Sequence, residues 1–184
     1  MLSFGRRISL GALREFSVVS KNAMTVQTFI TSRGYDFKVK ELAASTRTAA
    51  EAATTIGCNI DQIVKSIVFK TTKTNTPILV LASGKNHIDE NRLALELGED
   101  IIRPDGKYVK TVTGYPIGGV PPIAHKQPIR TLIDADLLAL DEVWAAAGTP
   151  NSVFKLLAKD LPQLTSGQVI SLTTSPVKGL RKTI

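Results

Sequence analysis

One mixed α/β domain, a curved and mostly antiparallel sheet flanked by helices, is the fold class this sequence predicts, and three observations predict it. β-branched apolar runs of strand length recur along the chain. Two of them, Ile63 to Thr71 and Pro77 to Ala82, are separated only by the polar Thr72-Lys73-Thr74-Asn75-Thr76, which reads as a hairpin. Short helical patterns stand among the strands, each opened by a capping residue or closed by glycine. No composition shift or internal repeat marks a second domain, and 184 residues suit a single one with a substantial core.

In order along the chain, Val26, Phe29 and Ile30 recur at helical spacing between Thr25 and Arg33, and Gly34 ends that helix. Asp36 to Leu42 alternates and reads as a short strand. Thr48-Ala49-Ala50-Glu51 has capping-box spacing and opens an alanine-rich helix to Ile56, with Gly57 as its stop. Beyond the hairpin, Asp89 caps a helix through Leu97, closed by Gly98, and Ile101 and Ile102 mark a short strand. Asp105 starts a helical turn through Val112. Ile129 to Ile133 and Glu142 to Ala147 read as strands around an Asp136-Leu137-Leu138 turn. Asn151 or Ser152 then caps a helix to Leu161, Pro162 stops it, and Val169 to Leu172 forms a last strand.

The formal charge of +7 suggests a nucleic-acid partner until it is located. Residues 1–24 carry a net +3 through Arg6, Arg7, Arg14 and Lys21 against Glu15, and residues 176–184 carry +3 through Lys178, Arg181 and Lys182. The remainder is nearly neutral, so bulk charge does not establish RNA binding. Residues 1–24, rich in Arg and Ser and almost free of acid, match a mitochondrial transit peptide better than a secretory signal. An extension without an address is the alternative. The chain therefore divides into this extension, a domain over 25–174 that would fold without it, and a basic tail over 175–184. No apolar run is long enough to cross a bilayer, so no membrane partner is expected. Cys58 is the sole cysteine, which excludes an intrachain disulfide.

Chemistry concentrates in two places. Gly114-Tyr115-Pro116-Ile117-Gly118-Gly119-Val120-Pro121-Pro122 is too dense in glycine and proline for a helix or a central strand. Such an uncharged loop can aim backbone N–H groups at a polarised carbonyl, or it can be a tight connection. Lys65 sits inside Ile63-Val64-Lys65-Ser66-Ile67-Val68-Phe69, on the face it shares with Ile63, Ile67 and Phe69. A lysine there either snorkels to the rim or points into a polar cavity, where it would hold a phosphate or polarise a carbonyl. His125 follows the loop and either lines its cavity or makes a structural bond. Ser83-Gly84 ends a strand as a site-lining turn or a plain connection. Metal-ligand spacings, nucleotide-binding glycine motifs and nucleophile elbows are absent from the sequence.

Four segments occur together in one order and spacing: Ile63 to Phe69, Ala82-Ser83-Gly84, Thr113-Gly114-Tyr115 with Gly118-Gly119-Val120-Pro121-Pro122, and Ala147-Gly148-Thr149-Pro150. In this the chain resembles the YbaK/EbsC, or prolyl-tRNA-synthetase-associated, editing domain over roughly residues 25–172. The resemblance implies a barrel-like mixed sheet. It also implies hydrolysis, in trans and without metal or nucleotide cofactor, of the ester joining a wrong amino acid to tRNA, usually tRNA for proline. Lys65 matches the family's lysine and Gly118 to Pro122 its Gly-x-x-x-Pro loop. Lys65, Gly118 and Gly119 are thus the candidate catalytic residues, with the glycine N–H groups facing the oxyanion. Ser83, Gly84, Tyr115, Val120, Pro121, Pro122, His125 and Gly148 are the candidates for substrate binding. The chain departs from the pattern at Ala124, where many members have glycine, and at Pro121, where many have serine. The amino acid removed stays open among alanine, cysteine, serine, threonine and small non-protein residues. The implied partners are the acceptor end of an aminoacyl-tRNA and a prolyl-tRNA synthetase or another synthetase. A non-catalytic tRNA- or synthetase-binding module and a hydrolase of some other small acyl ester are the competing readings.

Overall fold

The computed structural model describes residues 20–42 and 48–172; the basic tail and the transit-like segment up to residue 19 lie outside them. The first helix, α1, spans Lys21–Ser32, and the Ser20 hydroxyl caps it by accepting from the Ala23 N–H at 3.1 Å. It begins four residues before the expected Thr25. Ala23 extends the buried stripe of Val26 and Ile30 by one turn, so residues 21–24 belong to the fold and not to an excluded extension. Asn22 also donates to the Gly148 carbonyl at 3.0 Å. Deleting residues 1–23, so that the chain starts at Met24, is therefore expected to lower the melting temperature. The cap alone contributes about 0.5–2 kcal/mol, and an unchanged melting temperature would show the first turn to be dispensable.

Strand β1 is Val39–Glu41, shorter than the alternation predicts. The Gln27 side chain donates to the Phe37 carbonyl at 3.0 Å and accepts from the Val39 N–H at 2.8 Å, so backbone groups at the start of the strand are satisfied from α1. Helix α2, Ala49–Ile56, carries the expected capping box, with Thr48 and Glu51 exchanging side-chain and backbone bonds at 3.2 Å each. Strands β2, Ile63–Thr71, and β3, Pro77–Ser83, form the hairpin, antiparallel from Val64 opposite Ser83 to Lys70 opposite Pro77. Helix α3 is Glu90–Leu97, β4 is Ile101–Ile102, α4 is Gly106–Thr113 and β5 is Arg130–Asp134. Asp89 and Asp105 cap the two helices as expected, accepting from the Arg92 and Tyr108 N–H groups.

The last third departs most from expectation. β6, Glu142–Ala146, is followed by β7, Ser152–Leu157, where the sequence suggested a helix to Leu161. The Ser152 hydroxyl does not cap; it donates to the Glu41 carboxylate at 2.8 Å. Phe154 and Leu156 point inward while Lys155 and Leu157 are exposed, a period of two that pairs β7 with β6 on one side and β1 on the other. Pro162 lies in the first turn of α5, Leu161–Thr165, where its missing N–H costs nothing, and β8 is Gln168–Ile170.

The sheet runs β1-β7-β6-β2-β3-β5-β8, with β4 added on β2. The pairs β2–β6, β3–β5 and β5–β8 are parallel and the others antiparallel, so the sheet is mixed. One face packs Val64, Leu79, Leu81, Ile133 and Phe154 against α1 and the glycine-proline loop. The other packs Phe69, Ile78, Val80 and Leu132 against Leu93 of α3. Each large side chain so buried contributes roughly 1.5–3 kcal/mol.

Candidate active site

β3 borders β2 along nearly its whole length, but β6 borders it only at Ile63 and Val64, and β4 takes up that edge again at Lys70 and Thr71. The parallel neighbour thus diverges just where Lys65 begins. A cavity of about 280 Å³ opens at the divergence, lined by Lys65, Ser66, Gly118, Val120, Trp144 and Ala146 among others. Small side chains of α2, Ala49 and Ala52, leave the space open from the helix side.

The loop enters the cavity through a tight turn. The Gly119 N–H donates to the Pro116 carbonyl at 3.0 Å, and Gly118 has φ +84, the left-handed third position of a type II turn. Gly119 lies flat against the next chain segment: a Cβ there would come within 2.7 Å of the Thr149 Cα. Its carbonyl accepts from the Gly148 N–H at 3.0 Å. The loop base is closed by Tyr115, buried with its hydroxyl on the Ala124 carbonyl at 2.8 Å, and by Lys126 N–H on the Thr113 carbonyl at 2.9 Å. The Gly119 N–H is therefore spent inside the turn. Among the described residues, the Gly118 and Val120 N–H groups have no partner.

Lys65 is half-buried, and its ammonium donates to the Asn86 carbonyl. Desolvation holds its pKa below the usual lysine value and the nearby Arg103 charge pushes the same way, while Asp134 opposes them. Next in the strand, Ser66 borders the cavity, and its buried hydroxyl has no hydrogen-bond partner among the described residues. Such a group costs about 1–3 kcal/mol if left unsatisfied. Sequence reasoning passed over Ser66, although a hydroxyl next to the lysine in an apolar strand was its signal. Trp144 and the alanines of α2 carried none, because an apolar strand residue and a small helix residue read as core.

Of the expected site residues the structure brings Lys65, Gly118 and Val120 to the cavity. The others do not line it. Ser83 is buried and donates to the Asp61 carbonyl at 2.8 Å, and Gly84 passes so close to Ile60 that a Cβ would meet its carbonyl oxygen at 2.1 Å. Gly148 packs on Asn22 and Tyr115. Pro121 and Pro122 are buried, and Ala124 holds φ +60, a conformation that glycine adopts more readily. His125 does not line the Lys65 cavity. With Pro122 it borders a separate groove, and its Nε2–H donates to the Pro121 carbonyl at 2.7 Å.

Burial lowers the His125 pKa below the ordinary 6.5, against the hydrogen bond to Pro121. Below that ordinary value the unfolded chain takes up the proton first, so the stability contributed here is present above it and lost as pH falls toward the folded value. His125→Gln keeps an N–H donor and cannot titrate. Between pH 7 and pH 5 its melting temperature is expected to fall less than that of the wild type; parallel curves would refute a titrating His125.

Residues 43–164 match the family model of the aminoacyl-tRNA editing domain. The uncharacterized protein YwhH of Bacillus subtilis (strain 168) is 29% identical over 145 residues, 79% of this chain and 92% of its own length. Among solved structures, a candidate trans-editing enzyme for prolyl tRNA synthetase is similar at 43% identity and a TM-score of 0.80, over 85% of this chain and 99% of that one. The hypothetical protein APE2540 is similar at 27% identity and a TM-score of 0.76, over 82% and 99%.

Proposed function

As the chain belongs to the aminoacyl-tRNA editing domain family, we propose that it is a trans-acting deacylase of mischarged tRNA, with tRNA-Pro carrying a small wrong amino acid as its substrate. The observation that carries this reading is the meeting, at the wall of one small cavity, of Lys65 with Gly118 and Val120, two loop residues whose N–H groups have no partner among the described residues.

An aminoacyl ester is already activated, so positioning and electrostatic stabilisation suffice for its hydrolysis. Water adds to the ester carbonyl, and the Gly118 and Val120 N–H groups receive the negative charge that develops on its oxygen. The acyl–oxygen bond then breaks, releasing the amino acid, and the proton given up by the water reaches the departing ribose oxygen. The substrate's neighbouring ribose hydroxyl orients the water. One N–H of the Lys65 ammonium is held by Asn86, and the other two fix the terminal nucleotide or the carbonyl. The walls at Ala146, Val120 and Trp144 are apolar and close, which suits a small uncharged side chain. A pocket of this kind separates substrates by only ~1–3 kcal/mol per methylene, so a screen after charging adds fidelity.

The test is release of amino acid from a panel of mischarged tRNAs. Turnover of at least one small-residue ester above its spontaneous rate is expected, and no turnover on any member would overturn the reading. Turnover undiminished when the tRNA body is removed would point to a general acyl esterase. Stable tRNA or synthetase binding without turnover would point to a recognition module. The fold-similar trans-editing structure supports a tRNA substrate with a synthetase as functional neighbour. The Arg- and Ser-rich segment before α1 further suggests a mitochondrial address. A fluorescent reporter carrying residues 1–30 is expected in mitochondria, and a wholly cytosolic reporter would refute the address.

A further inference from the structure

Asn86 lies in the turn after β3, fixed by its N–H on the Ser83 carbonyl at 3.0 Å. Its side-chain NH₂ donates to two carboxylates at once, Asp134 at 2.6 Å and Asp136 at 2.8 Å. Its backbone carbonyl accepts from the Lys65 ammonium. The sheet register makes this possible. Lys65 of β2 lies opposite Ala82 of β3, and Leu81 lies beside Ile133 of β5, so the turn after β3 and the end of β5 converge beside Lys65.

We propose that Asn86, gripped by Asp134 and Asp136, is a positioning residue that holds the Lys65 ammonium in its working place. Asp134 is only 1% exposed, and its second carboxylate oxygen has no partner among the described residues. A carboxylate buried that deeply is costly unless it is hydrogen-bonded. Here the bond it makes anchors the turn that carries the lysine's acceptor. Spending both N–H groups of one amide on two separate carboxylates fixes the plane of the Asn86 side chain, and through the residue, its carbonyl. Lys65 has a long, flexible stem with several rotatable bonds, so without a fixed acceptor its ammonium would sample positions away from the substrate. Asn86 does this without touching substrate.

The inference rests on the deacylase reading for the role of Lys65, and the test keeps the two apart. Nuclear magnetic resonance of the Lys65 ammonium, assigned by its disappearance in Lys65→Ala, reads the grip with no substrate present. The signal is expected to be protected from exchange with water in the wild type and to exchange faster in Asn86→Ala. Unchanged exchange overturns the proposal whatever the enzyme does. In deacylation, Asn86→Ala is expected to lower kcat by about 10- to 100-fold, with KM nearly unmoved. In the Lys65→Ala background the same substitution is expected to add no further loss. An equal loss in both backgrounds, or a loss confined to KM, would make Asn86 a structural tie and overturn the proposal. Asp136→Ala, at an exposed position, breaks one of the two grips without endangering the fold and is expected to fall between wild type and Asn86→Ala. Activity and exchange equal to wild type in that variant would also count against it. A wild type that deacylates nothing would end the deacylase reading, while the exchange measurement would still judge the grip.

Discussion

Lys65→Ala is expected to lower the deacylation rate by about 10²- to 10³-fold, the scale on which removal of one well-placed charge-stabilising donor acts in a desolvated site. The substitution removes the half-buried cation of the cavity wall and leaves β2 otherwise intact, since its pairing with β3 runs through backbone groups from Val64 to Lys70. Lys65→Arg is expected to restore little. A guanidinium is larger and planar, and its donors are set in a fixed fork that does not reproduce a compact ammonium on the Asn86 carbonyl. Circular dichroism alongside the rates separates loss of the group from loss of the fold. Full activity in Lys65→Ala on a cleaved substrate would sink this mechanism while leaving the family assignment standing.

The environment of Lys65 gives that prediction a pH signature. Burial and Arg103 lower its pKa from the ordinary 10.5, so the ammonium is lost at a lower pH than an exposed lysine would lose it. If the charged form acts, the enzymatic rate, after subtraction of spontaneous hydrolysis, declines on the alkaline side below that ordinary value. Arg103→Gln removes a like charge and is expected to move the decline to higher pH. Asp134→Asn removes the charge that favours the ammonium and is expected to move it lower. Shifts of opposite sign would show that another group sets the alkaline limb.

Gly119→Ala carries a large expected structural effect. The added methyl would lie within 2.7 Å of Thr149 backbone atoms, which cannot rotate away as a flexible side chain can. Overpacking of this kind costs typically 1–3 kcal/mol. Relief requires the loop to move off the Thr149 segment, lengthening the Gly148 N–H bond to the Gly119 carbonyl and displacing the neighbouring Gly118 and Val120 from the cavity wall. A lower denaturation midpoint together with a fall in kcat is expected. Gly118→Ala makes the contrast. Its Cβ would meet nothing within 4 Å, but φ is +84, so the cost is backbone strain of roughly 1–2 kcal/mol. A Gly119→Ala protein as stable and active as wild type would mean the Thr149 segment yields, and the loop is not the rigid frame described.

The editing-domain family was legible before any coordinates, because its residues stand in linear order: a lysine inside an apolar strand, then the glycine-proline loop, then Gly148. So were the local structures whose causes lie within a few residues. Thr48 with Glu51, and Asp89 and Asp105 before their helices, satisfy N–H groups three residues away. The β2–β3 hairpin likewise needs only its own short turn. Ser152 was ambiguous because a hydroxyl serves equally as a helix cap or as a strand residue; Glu41, more than a hundred positions earlier, decided for the strand. The two adjacent glycines looked alike in sequence. Contact with Thr149 and the bond to Pro116 made Gly119 a packing point, leaving the open N–H groups to Gly118 and Val120. Ser66 borders the cavity only because β6 leaves β2 after Val64, a divergence fixed by sheet order. The sequence by itself thus determined the family, the caps and the hairpin. Tertiary structure decided which polar groups are left without partners, because their partners arrive from distant parts of the chain and short-range spacing carries no record of them.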